Sequence, residues 1–246
     1  MFTLDMFLGE FFGTMFLVFL GDCVVANVVL KGTKGNGSGW PVITLGWMVA
    51  VAVPVMMFGY MSGAHFNPAV TLGLWIIGGT EAGQVLPYIG SQMAGGFVGA
   101  IFTYIFYKPH FDITEDQGAK LAVFSTGPAI RKTVPNCISE FLATFTLVFA
   151  IIGALVIGGP DGADGTIGGG LGIAWIILAL GTALGGTTGY ALNPARDLSP
   201  RIAHALLPIK DKGSSDFAYG WIPTIMPLLG GAAAGAAALG VFMNWL

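Results

Sequence analysis

The sequence predicts an all-α membrane protein: six transmembrane helices plus two re-entrant half-helices, arranged as an inverted repeat. Three observations predict it. Hydrophobic residues make up 54% of the 246 residues and charged residues only 9%, with a mean hydropathy of +0.78. Soluble domains carry about 25% charged residues, so too few charges are present to coat a water-exposed surface of this size. Six apolar segments reach the ~20 residues that a spanning helix needs. Two shorter apolar stretches each open with the same tripeptide, Asn67-Pro68-Ala69 and Asn193-Pro194-Ala195.

The spans are expected at about 5–30, 41–62, 84–107, 135–158, 169–190 and 218–245, and the short stretches at 67–78 and 193–207. No Lys or Arg precedes Lys31, so the first run lacks the positive flank of a cleaved signal and is expected to span. The linkers are polar and rich in turn formers: 31–39, a long loop over 108–134, a Gly- and Asp-rich segment over 158–170, and 208–216.

The second half repeats the first. Glu10 to Phe19 (EFFGTMFLVF) aligns with Glu140 to Phe149 (EFLATFTLVF), at an offset of 130, and the two Asn-Pro-Ala motifs stand 126 apart. One channel-type domain over 1–246 follows, with halves at about 1–110 and 131–246. Each half carries three spans, an odd number, so the second half enters the membrane inverted. Folds of that kind place their pathway at the repeat interface.

Composition excludes other classes. With 10 Lys+Arg against 13 Asp+Glu there is no basic face for nucleic acid. Cys23 and Cys137 make neither a disulfide framework nor a metal site, and both fall in or beside apolar runs as packing residues. No nucleophile–base set or metal cluster is visible, so neither an enzyme nor a cofactor is expected. Glycine is abundant, at 39 residues. The pairs Gly9/Gly13, Gly95/Gly99, Gly181/Gly185, Gly185/Gly189 and Gly231/Gly235 have the small-xxx-small spacing that lets helices approach in lipid.

Asn is a strong N-cap and Pro is at home in the first helical position. Asn67 and Asn193 are therefore expected to cap half-helices that start near the bilayer centre. Irregular backbone at that depth is tolerated only inside protein or against a water-filled cavity. Segments 62–66 and 189–192 are expected to be such backbone, with carbonyls lining a path.

Gly63-Ala64-His65-Phe66-Asn67-Pro68-Ala69-Val70 and Gly189-Tyr190-Ala191-Leu192-Asn193-Pro194-Ala195-Arg196-Asp197 resemble the signature loops of the aquaporin, or major intrinsic protein, family. The resemblance covers essentially the whole chain. Asp197 after Asn-Pro-Ala-Arg, and the long 108–134 loop, resemble the glycerol-facilitator branch. The resemblance implies a bundle of six tilted helices and two half-helices, a pore in each subunit of a homotetramer, and a cell membrane with both termini cytoplasmic. It implies small neutral partners, glycerol and water, moving through a lipid bilayer. It also implies a filter of Trp47, Gly181, Tyr190 and Arg196, in which Gly181 leaves room and Tyr190 stands where glycerol facilitators have Phe.

Half-helix N-termini each present roughly half a positive charge. Together with an Arg they form the electrostatic barrier established for aquaporin-type pores as a class. The Asn67 and Asn193 amides are expected to donate to the permeant while their oxygens cap the helices. An Arg as deep as Arg196 marks a pathway by default, and tethering loop carbonyls is a compatible second role. Trp47 also fits an interfacial belt. Asp197 and Arg201, four apart, are expected to pair structurally.

Glu10 and Glu140 are repeat-related and buried in their spans. A symporter would use them as proton sites. The resemblance makes them braces for the N–H groups of the motif loops. Ala64, His65, Phe66, Ala191 and Leu192 are expected in the pore wall, with loop support an equal alternative for His65. His110 and His204 read as loop and helix-end residues, and Asp22 has no role. Tyr190 keeps open a channel for neutral hydroxy acids such as protonated lactic acid beside one for polyols. Cytoplasmic termini put Lys31, Lys34, Lys108, Lys120, Arg131, Lys132, Lys210 and Lys212 outside, against the positive-inside rule.

Overall fold

A computed structural model describes residues 2–158 and 170–242. Among them are helices α1 (Leu4–Val29), α2 (Trp40–Ser62), α3 (Pro68–Ile76), α4 (Ala82–Ile113), α5 (Gln117–Phe124), α6 (Thr133–Gly158), α7 (Gly170–Ala183), α8 (Pro194–Leu206) and α9 (Phe217–Phe242). Most of the Gly- and Asp-rich linker over 158–170 and the end of the last span lie outside the described residues.

Five of these helices are long and apolar enough to cross a membrane: α1, α2, α4, α6 and α9. The sixth expected span, 169–190, is shorter as a helix and stops at Ala183. Five turn residues follow, and from Gly189 the backbone is irregular, with positive φ at Gly189 and Tyr190. Gly185, Gly186 and Gly189 in this stretch weaken any helical continuation.

The 108–134 stretch is less of a loop than its charges suggest. α4 continues through Pro109 to Ile113, and α5 follows, with the Asp116 carboxylate accepting from the Ala119 N–H at 3.1 Å. Asp116 is thus an N-cap that the charge-rich context concealed.

The halves interlock. α1 packs against α2 and α4, and α6 against α7 and α9. The half-helices cross over: α3 seats on α9, and α8 on α4. Glycines make these seams close. A Cβ at Gly95 would lie 2.1 Å from the Phe11 carbonyl oxygen, and one at Gly231 would lie 2.4 Å from that of Ala69. Gly181 and Gly185 do not form such a seam; they face the rings of Tyr190 and Trp40.

The outer faces are apolar. Leu45, Val49, Met56, Leu86, Ile105, Phe106 and Trp175 are exposed on the helices, where a soluble protein would present charge. Polar side chains instead gather inside, including Glu10, Asp22, Glu140, Asp197 and Arg201, all fully buried.

Candidate functional site

The two motif loops share one backbone design. Gly63, Ala64 and Phe66 have φ of 81°, 54° and 48°; Gly189, Tyr190 and Leu192 have 82°, 42° and 55°. The three pairs are related by the same 126-residue offset as the Asn-Pro-Ala motifs. Left-handed non-glycine residues are strained and persist only where their surroundings hold them.

What holds them is a buried carboxylate in each half. Glu10 accepts from the His65 N–H at 3.0 Å, the Phe66 N–H at 2.8 Å, the Ser62 hydroxyl at 2.6 Å and the Gln92 amide at 2.7 Å. Glu140 accepts from the Ala191 and Leu192 N–H groups, both at 3.1 Å. N–H groups turned toward the carboxylate leave the intervening carbonyls to face the other way.

Asn67 and Asn193 cap the half-helices through their side-chain oxygens, which accept from Ala69 N–H at 2.8 Å and Ala195 N–H at 2.9 Å. Their amide nitrogens also cross between halves. Asn67 donates to the Leu192 carbonyl at 2.9 Å and Asn193 to that of Phe66 at 2.8 Å. One N–H of each amide is therefore committed to the protein. The second N–H is left for the cavity, which both residues line.

That cavity is lined by aliphatic groups such as Leu17, Val51, Leu147, Ile151 and Ile177. Its wall also includes Gly63, Ala64, His65 and Phe66 of the first loop, and Ala191 and Leu192 of the second. A second cavity lies against Val25, Trp40, Ile43, Ser125, Thr126 and Gly189. Trp47, Tyr190 and Arg196 line both cavities, so they form the ring at which the two meet.

The Arg196 guanidinium sits 4.2 Å from the centre of the Trp47 ring, and Tyr190 packs edge-on against Trp40 with ring centres 5.8 Å apart. Trp47 Nε1, Tyr190 Oη and Arg196 Nη1 are all buried and have no protein partner. Buried polar groups are usually paired, so three such atoms together set this constriction apart from the apolar wall around it.

The fourth expected filter residue, Gly181, stands against the Tyr190 ring. Gly181 lines neither cavity. A Cβ there would lie 2.9 Å from Tyr190 Cζ and 3.0 Å from its hydroxyl, so the absent side chain is room for the phenol. The Gly181 carbonyl accepts from Trp40 Nε1 at 2.9 Å. Trp40 was not singled out in the sequence; its place at the start of α2 reads as a belt aromatic.

Behind the ring, Arg201 pairs with Asp197 at 2.8 Å, both fully buried, and donates to the Thr126 and Ser215 carbonyls. Asp197 also accepts from the Thr126 N–H at 2.7 Å and its hydroxyl at 2.8 Å. This network ties the segment after α5 to the second half-helix and puts Ser125 and Thr126 at the second cavity. No sequence motif pointed to Thr126.

His65 does both things considered for it: Nδ1 lies 3.1 Å from the Thr71 hydroxyl, and the residue lines the inner cavity. His110 Nδ1 lies 3.0 Å from the Lys31 carbonyl and His204 Nδ1 lies 2.8 Å from the Ser215 hydroxyl, so both tie loops to helix ends. Lys212 caps α8, donating to the Ala205 carbonyl at 2.6 Å and that of Leu207 at 2.7 Å, and its partial burial lowers its pKa.

Apolar outer faces, two opposed half-helices and a polar ring between two cavities define a membrane pore. The comparisons agree. The major intrinsic protein family model matches residues 2–238. A probable glycerol uptake facilitator protein of Thermotoga maritima is 50% identical over 244 residues, covering 99% of this chain and 100% of that one. A glycerol uptake facilitator protein of Streptococcus pneumoniae is 52% identical over 226 residues, covering 92% and 94%. The X-ray structure of the aquaglyceroporin from Plasmodium falciparum is similar with a TM-score of 0.82 and 28% identity, covering 98% of this chain and 97% of that one. The chain is a multi-pass membrane protein and belongs to the major intrinsic protein family.

Proposed function

We propose that this protein is a passive channel for glycerol and similar small neutral polyols, with water sharing the path and protons and ions excluded. The observation that carries the reading is the ring of Trp47, Tyr190 and Arg196. Two aromatic faces suit a carbon backbone, and the unpartnered atoms of the same residues suit its hydroxyls. The names of the relatives point the same way. Beyond the ring, the cavity wall combines aliphatic side chains with the two motif loops, which suits an amphipathic solute. The half-helix ends and Arg196 oppose cations.

The chain acts as one domain of two inverted halves, in the cell membrane, with both termini cytoplasmic and four copies assembled in the bilayer. A proton-coupled symporter is disfavoured, because Glu10 and Glu140 are committed to loop N–H groups. The Tyr190 hydroxyl supports a second reading, in which neutral hydroxy acids such as protonated lactic acid pass as well. Stopped-flow swelling of proteoliposomes with glycerol, urea, lactic acid and water separates the two. Glycerol should be fast; a channel that conducts water alone contradicts the reading.

A further inference from the structure

Trp40 is the first residue of α2, and α2 packs against α7. The last four carbonyls of a helix have no partner within it, and that of Gly181 lies in the last turn of α7. It accepts instead from Trp40 Nε1 at 2.9 Å. The same indole packs against the Tyr190 phenol, with ring centres 5.8 Å apart and planes at 76°. One side chain therefore joins the end of α7 to an aromatic residue of the filter ring.

Two glycines make room for this arrangement. A Cβ on Gly185 would lie 2.6 Å from Trp40 Cζ2 and 2.7 Å from Tyr190 Cδ1, so both rings stand against the same backbone. A Cβ on Gly181 would lie 2.9 Å from Tyr190 Cζ. Packing of this kind matters because the phenol has no polar anchor: its hydroxyl is buried and without a protein partner. Its place at the ring is set by what its faces and edges touch. Trp40 lines the second cavity only, whereas Tyr190 lines both, so Trp40 stands beside the constriction rather than in it.

We propose that Trp40 is a positioning residue of the filter that acts through Tyr190: its N–H locks the indole to the Gly181 carbonyl, and the locked indole is the backstop that keeps the phenol at the ring. Trp40 thereby sets how sharply the channel discriminates among polyols by size. The inference rests on the reading of the ring as a solute filter. With the backstop removed, the phenol gains space beside it and the opening is no longer fixed. An edge-on aromatic pair and a single hydrogen bond each shift an equilibrium by roughly two- to tenfold, so losing both changes the sorting several-fold.

Trp40→Leu removes the N–H and the aromatic edge together. Glycerol and the longer polyol xylitol are compared by stopped-flow swelling, in proteoliposomes of matched channel content. The ratio of xylitol to glycerol permeability should rise several-fold over the parent. Tyr190→Ala already lacks the phenol, so adding Trp40→Leu in that background should leave the ratio where Tyr190→Ala puts it. If Trp40→Leu does not assemble, Trp40→Phe, which deletes the N–H and shrinks the ring, carries the same expectation. An unchanged ratio in an assembled variant overturns the proposal, including the case in which both permeabilities fall together, which marks a role in packing alone. An equal rise in the Tyr190→Ala background also overturns it, because Trp40 would then act on the solute directly. Absence of glycerol flux in the parent itself would sink the channel reading instead.

Discussion

Position 190 is where one side chain decides most. Tyr190 lines both cavities and presents an unpartnered hydroxyl at the ring. Tyr190→Phe keeps the ring and deletes that group. If the hydroxyl sorts solutes, lactic acid flux at low pH should fall several-fold while glycerol flux holds; equal loss of both would show that it does not. Gly181 tests how Tyr190 is held. In Gly181→Ala the new Cβ meets Tyr190 Cζ at 2.9 Å and Thr44 Cγ2 at 3.0 Å, so the phenol must shift from its place at the ring. Glycerol flux should drop several-fold and water flux much less, in proteoliposomes of matched channel content. Unchanged glycerol flux means that the phenol can retreat elsewhere. Trp47, Tyr190 and Arg196 were legible because the Asn-Pro-Ala motifs give a register from which to count. The contact of Gly181 with the Tyr190 ring was not, because spacing does not say which side chain a glycine faces.

The half-helices were the most legible elements. Asn-Pro at the start of a half-length apolar run names its own cap and first turn, and both caps are present at 2.8 Å and 2.9 Å. The crossing of Asn67 to Leu192 and Asn193 to Phe66 was hidden, since it joins residues 125 and 127 apart in the chain. α5 was hidden for a different reason. Its one clear signal, Asp116, sits among other charges and prolines, where it reads as loop. The loops themselves depend on their carboxylates. Glu140→Gln can present one acceptor oxygen instead of two, leaving one of the N–H groups of Ala191 and Leu192 facing an NH₂. An unsatisfied buried donor costs about 1–3 kcal/mol. The purified variant should therefore melt several degrees lower than the parent in detergent; an unchanged melting temperature would mean that the strained loop does not depend on this brace.

Across the whole molecule the two halves build a single path, and charge is distributed for structure more than for orientation. Several of the loop cations have fixed local work. Lys120 donates to the Lys210 carbonyl, Lys212 caps α8, Arg131 pairs with Asp216, and Lys108 pairs with Asp112 at 2.7 Å. A count of loop charges is blind to this, because it treats every Lys and Arg as free to steer insertion. The inverted repeat was readable from two short alignments. The crossing of each half-helix onto the opposite half, α3 on α9 and α8 on α4, was not, because it joins residues such as Gly73 with Gly231 and Gly96 with Ala195, far apart in the chain. The account's central claim is that solute moves down its own gradient through this path. The most direct measurement is glycerol entry into proteoliposomes followed by stopped-flow light scattering, with and without a protonophore. The account predicts fast entry that is indifferent to collapse of the proton gradient. Entry that stops when the gradient collapses would contradict it.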